Sequence, residues 1–110
     1  MAVSRGMIEQ EISVLNYILN RCSYENPVRG RQIRKDLNLS ERDFKMVIES
    51  LRVNFGHPIV GLKSKPFGYY IPKTEDERQA GIAPYRRQIL TEQKNLVAVM
   101  KIDLDEYWKA

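Results

Sequence analysis

The stretch Ser40–Phe55, SERDFKMVIESLRVNF, constrains this chain more than any other. Phe44, Val47, Ile48 and Leu51 fall at i, i+3, i+4 and i+7, which is the spacing of one apolar stripe on an α-helix. Ser40 supplies an N-cap hydroxyl, and Asp43 three residues on can complete a capping box at the helix's positive end. Gly56-His57-Pro58 then stops the helix: glycine takes the left-handed position and proline forbids continuation. The spacing predicts a helix over residues 40–54 that buries the stripe and turns Arg42, Lys45, Glu49 and Arg52 outward.

The flanks set what that helix packs against. Ile8, Ile12, Leu15, Ile18 and Leu19 recur at helical spacing, predicting a first helix from about Met7 to Cys22. Asn26-Pro27 ends it, because the residue before proline avoids the helical region. Val28-Arg29-Gly30 has the character of a very short strand, and Arg31–Leu37 that of a brief helix burying Ile33 and Leu37. A turn at Asn38-Leu39-Ser40 joins it to the next helix, the helix-turn-helix arrangement. Beyond Pro58, Ile59–Lys63 and Tyr69–Ile71 are β-prone around a turn at Ser64–Gly68, predicting a hairpin over residues 59–71. Period-two alternation sets Tyr69 and Tyr70 on opposite faces, one in the core and one covering the hairpin.

After Lys73 the character changes. Thr74 caps an acidic first turn, Glu75-Asp76-Glu77, Gly81 interrupts, and Pro84 is placed to open a longer helix. Tyr85, Ile89, Leu96, Met100 and Leu104 give it an apolar stripe broken by polar Thr91–Asn95, while Val97, Val99 and Ile102 also suit a strand. The expected organisation is a domain over residues 1–73 and a helical extension over residues 74–110. That extension either folds back on the first helix or pairs with a second copy, a homodimer contact through residues 84–108.

Charge narrows the function classes. The net charge is +4 over 110 residues, and it is unevenly placed. Residues 29–73 carry ten Lys/Arg against four Asp/Glu, whereas the segments on either side are each −1. Such a central excess suits an anionic partner. No apolar run nears the roughly 18 residues that span a bilayer, so no membrane partner is expected. The N-terminus lacks an apolar signal core, and a lone Cys22 allows no internal disulfide, so a cytoplasmic location is expected. His57, between glycine and proline without cysteine or histidine neighbours, is no metal ligand by its surroundings. There is no phosphate-cradling glycine loop and no paired-carboxylate pattern. No enzyme, cofactor, metal site or small-molecule ligand is expected.

The order helix, small strand, helix, turn, helix, hairpin, with Arg31-Gln-Ile-Arg-Lys-Asp-Leu-Asn-Leu-Ser40, Ile48-Glu-Ser-Leu-Arg52, Pro58-Ile59 and Gly68-Tyr-Tyr-Ile71, resembles a winged helix-turn-helix domain. The pattern is similar to biotin-repressor N-terminal domains and to bacterial and phage regulators, and covers about residues 7–72. The resemblance implies a mainly α fold with a small β-hairpin, the hairpin serving as a wing and a helical extension following. It departs from the family at Val53–His57, whose apolar character predicts an irregular end to the third helix.

In that family the third helix enters the major groove. The resemblance therefore makes Ser40, Glu41, Arg42, Lys45 and Met46 candidates near base edges. Arg42 can bond guanine bidentately, and Lys45 guanine or phosphate. Arg29, Arg31, Arg34 and Lys35 on the preceding helix become phosphate contacts, and Lys63 and Lys65 two charges on the wing. The implied function is sequence-specific binding of double-stranded DNA in transcription regulation, with a replication or origin-binding accessory beside it. A protein-protein adaptor on the same fold is the alternative. An adaptor carries an apolar or mixed outer face on its third helix.

Overall fold

The structure, a computed structural model, describes residues 5–63 and 65–109. Ser64, at the start of the expected hairpin turn, lies outside those residues. The elements run α1 (Glu9–Arg21), α2 (Gly30–Leu37), α3 (Glu41–Val53), β1 (Val60–Leu62), β2 (Gly68–Tyr70), α4 (Glu75–Lys101) and α5 (Leu104–Lys109). This is the expected class, mainly α with an antiparallel hairpin and a C-terminal helical extension. Its first five elements follow a generic winged-helix arrangement.

The core sits where α1, α2 and α3 meet the hairpin. Phe44, Val47, Ile48 and Leu51 are buried as the stripe requires, against Val14, Leu15 and Ile18 of α1, Ile33 of α2, and Ile59, Val60 and Tyr70. Removing each such side chain from water contributes about 1.5–3 kcal/mol. In the hairpin Val60 pairs with Tyr70, Gly61 with Tyr69 and Leu62 with Gly68. The short strand at Val28–Gly30 reduces to one bridge: Val28 exchanges hydrogen bonds with Tyr69 at 3.2 and 2.8 Å. Gly68, at φ 138°, makes that bridge possible, since a Cβ there would meet the Val28 backbone at 2.8 Å. Tyr70 is buried, while Tyr69 lies across Gly61 and meets Phe44 edge-on at 5.2 Å.

The helix ends are made as the sequence suggests. Asn38, at φ 55°, ends α2 in a left-handed cap, and the Leu39 N–H returns to the Arg34 carbonyl at 2.9 Å. Ser40 Oγ accepts from the Asp43 N–H at 3.1 Å and opens α3. The far end of α3 is irregular, as its apolar composition predicts. Gly56 takes φ 72°, and the His57 N–H reaches back to the Leu51 carbonyl at 2.9 Å.

Two expectations are corrected. On α1 the buried face is Glu11, Val14, Leu15, Tyr17 and Ile18, leaving Ile8, Ile12 and Leu19 about half exposed. The helix is turned because Glu11 is satisfied where it is buried: Arg5 donates to both its oxygens at 2.9 and 3.0 Å, and Ser50 Oγ donates at 2.5 Å. The Ile8 N–H completes the set at 2.9 Å.

The second correction concerns the extension. Gly81 does not interrupt it and Pro84 does not begin it, for α4 runs unbroken through both. Gly81 is buried against Tyr70 and Val60, where a Cβ would meet Val60 Cγ1 at 2.7 Å. Pro84 forfeits the bond to the Ala80 carbonyl, but Ala80 is exposed and water can take that place. Tyr70 Oη donates to the Glu77 carbonyl at 3.1 Å and Tyr85 Oη to that of Gly61, so the first three turns dock on the hairpin. From Arg86 to Lys109 every residue is exposed, so the extension does not fold back on α1. The radius of gyration is accordingly 18.5 Å, where a compact chain of this length has about 13 Å.

Candidate nucleic-acid interface

The residues expected to meet nucleic acid lie on α2, α3 and the hairpin tip, and the fold gives them different surroundings. On α2, Ile33 and Leu37 face inward, and Arg31 and Lys35 stand fully exposed with Arg34 partly so. The single acid of this helix, Asp36, is turned the other way. It accepts from Tyr17 Oη at 2.5 Å and Gln32 Nε2 at 2.8 Å, with Arg21 at 3.8 Å. The Tyr17 hydroxyl, then Gln32 and the cations, hold its carboxyl below the usual carboxylate range. Arg31, Arg34 and Lys35 thus stand on one side of α2, with Asp36 and the exposed Gln32 that bonds it on another. Arg29 at its N-cap lies over the Phe67 ring at 5.0 Å, which joins the hairpin tip to the same surface.

On α3 the balance differs. Lys45 pairs with Glu41 at 3.2 Å, and that contact, with Arg34 nearby, lowers the Glu41 pKa. Arg52 donates Nε–H to the Ile59 carbonyl at 2.8 Å and braces the start of the hairpin. Arg42 makes no ion pair among the described residues. Arg42, Lys45, Met46, Glu41 and Glu49 together line one shallow, open depression on the outer side of the helix. Ser40 is committed to its capping bond. Met46 is 59% and Val53 67% exposed, so this face mixes charge with apolar surface.

The two wing lysines separate. Lys65 is exposed at the hairpin tip, whereas Lys63 Nζ lies 5.4 Å above the Tyr85 ring of α4. Both lysines remain exposed, and the place of α4 beside β1, which brings Tyr85 to Lys63, was not legible in the sequence. Sequence reasoning also missed Arg5 and Glu11. Arg5 bonds Glu11 and lies 5.4 Å from the Phe55 ring, tying the N-terminal arm to α1 and α3. The signal was available in Ile8–Glu11, where an acid three residues into a helix reaches back to the first free N–H.

Burial raises the Cys22 thiol pKa, which leaves it a small core residue and not a nucleophile. Among the described residues no cluster of three His, Cys, Asp or Glu could hold a metal ion, and no helix is long and apolar enough to cross a membrane. The fold is thus mainly helical with a small antiparallel hairpin, its topology compatible with a winged-helix arrangement, and α2 and the hairpin tip carry exposed cations. Comparison of the chain with protein-family models, curated proteins and solved structures gave no match.

Proposed function

We propose that this protein binds double-stranded DNA, with α3 in the major groove, α2 against the phosphate backbone and the hairpin as a wing. The observation that carries the reading is the outward side of α2. Arg29, Arg31, Arg34 and Lys35 lie on or at the start of one helix, and Asp36, the only carboxylate of that helix, is bonded to Tyr17. Arg42 is the residue for base readout. Lys45 contributes only on leaving Glu41, and Lys63 follows the phosphate strand from its place beside Tyr85. Residues 1–73 act as the DNA-binding unit and residues 74–110 as its extension, in a cytoplasmic regulator of bacterial or phage type. A role at a replication origin uses the same surface.

The exposed Met46 and Val53 beside Glu41 and Glu49 favour a second reading, in which α3 meets a protein partner. Fluorescence anisotropy with random duplex across a salt series separates the two. With about five to eight phosphates neutralised, log K falls against log salt with a slope of roughly −5 to −7. A slope near zero, or no binding at low salt, leaves the adaptor reading.

A further inference from the structure

The face of α4 that docks on the hairpin through Gly81 and Tyr85 does not end where the hairpin ends. At 100° per residue it continues as Ile89, Leu96 and Met100, interrupted by Glu92 and Gln93, with Val97 and Val99 on its borders and Leu90 further round. These apolar side chains are 38–72% exposed, and Ile102, Leu104, Tyr107 and Trp108 beyond them are 51–77% exposed. Such a strip is larger than a monomer normally leaves in water. Stable protein interfaces bury about 800 Å² per partner around exposed apolar side chains of this kind.

We infer that the free half of α4 pairs antiparallel with the same segment of a second copy of this chain, about a two-fold axis near Asn95–Leu96. The occupant and its direction follow from the charges. Arg87, Lys94 and Lys101 recur every seven residues on the side away from the strip, so an identical helix meets no repulsion from them. Arg86, on the border of the strip, stands at one end of the free segment, and Asp103, Asp105 and Glu106 lie at the other, just before and on α5. A parallel pair sets arginine beside arginine, acids beside acids and Glu92 beside its own counterpart. An antiparallel pair lays each acidic end against the other chain's Arg86 and moves the two Glu92 side chains apart. The midpoint between the basic and acidic groups falls at Asn95–Leu96, which faces Leu96 with its own copy. This contact involves none of the residues assigned to DNA, so each proposal can fail alone.

The test uses the full chain. Sedimentation equilibrium of the wild type gives a dimer, and Leu96→Glu shifts it to a monomer that keeps a cooperative thermal unfolding transition. Arg86→Glu weakens the dimer about tenfold, and Asp105→Lys in the same chain restores it. Under mild oxidation Leu96→Cys forms a disulfide-linked dimer. Ile89→Cys does not, because its copies stand about 20 Å apart at 1.5 Å per residue. The wild type, whose only cysteine is the buried Cys22, is the control. Linkage through Ile89→Cys as ready as through Leu96→Cys means a parallel pair and overturns the inference. A wild type that sediments as a monomer at tens of micromolar overturns it too.

Discussion

Gly81 of α4 lies directly against the Tyr70 side chain of β2, with Val60 Cγ1 closing the other side of the space a methyl would need. In an exposed helix, Gly→Ala gains about 1 kcal/mol. Here overpacking reverses the sign. Gly81→Ala should destabilise the fold by about 1–3 kcal/mol and loosen α4 from the hairpin. Thermal unfolding reads the first effect, and amide exchange at Tyr85–Gln88 the second. A rise in Tm would show that the helix and hairpin do not approach this closely.

Glu11 makes stability depend on acid. Arg5 first, then Ser50 and the Ile8 N–H, lower its pKa from an ordinary 4.5 to about 2 despite its burial. A carboxylate with a depressed folded-state pKa contributes stability that is complete above about pH 4.5 and lost as pH falls towards 2. The contribution is about 2 kcal/mol, since Arg5 is 44% exposed and screened by water. Denaturant melts of the wild type should weaken across that window. Those of Glu11→Gln should start lower at neutral pH and change less below pH 4.5.

Tyr17 and Asp36 join α1 to α2 from the side opposite the basic surface. Tyr17→Phe removes one hydrogen bond to a charged acceptor and should cost about 1.5–3 kcal/mol. It also frees Asp36 to turn towards Arg31 and Lys35. On the proposed function, DNA affinity should then fall with no change in any residue assigned to DNA, measured by anisotropy on folded protein at low salt.

Individual cations should divide by role. Arg42→Ala should cost about 1–3 kcal/mol on a selected site and relax base preference. Lys35→Ala and Lys65→Ala should each weaken all duplexes alike and make the salt slope shallower by about one unit. Binding unchanged by all three would move the site off this surface.

The local structure was legible where residues neighbour one another in sequence. The α3 stripe, the Ser40 cap, the left-handed Gly56 and the opposed Tyr69 and Tyr70 all follow from spacing. What sequence missed needed partners distant along the chain. Glu11 reads as a surface acid until Arg5 and Ser50 converge on it. Gly81 reads as an interruption and Pro84 as a helix start until Tyr70 and Val60 show why one is small, and the exposed Ala80 shows how the other is tolerated within the helix. Val97, Val99 and Ile102 suited a strand around Leu96–Ile102, but α4 continues as helix to Lys101. For the basic surface, composition located the charge, but only the fold showed which cations are engaged. Lys45, Arg52 and Lys63 have partners, and Asp36 is removed from the face it would have neutralised.

α4 carries the chain from the hairpin to its outer end as one helix, with no loop between them. In a two-chain assembly the phase between the two α3 helices would then be set like teeth on a shaft. One residue inserted at Arg87 would rotate everything beyond it by about 100° and advance it by about 1.5 Å. Spacing along a duplex would thus be written into the length of a helix, with no flexible tether to forgive an error.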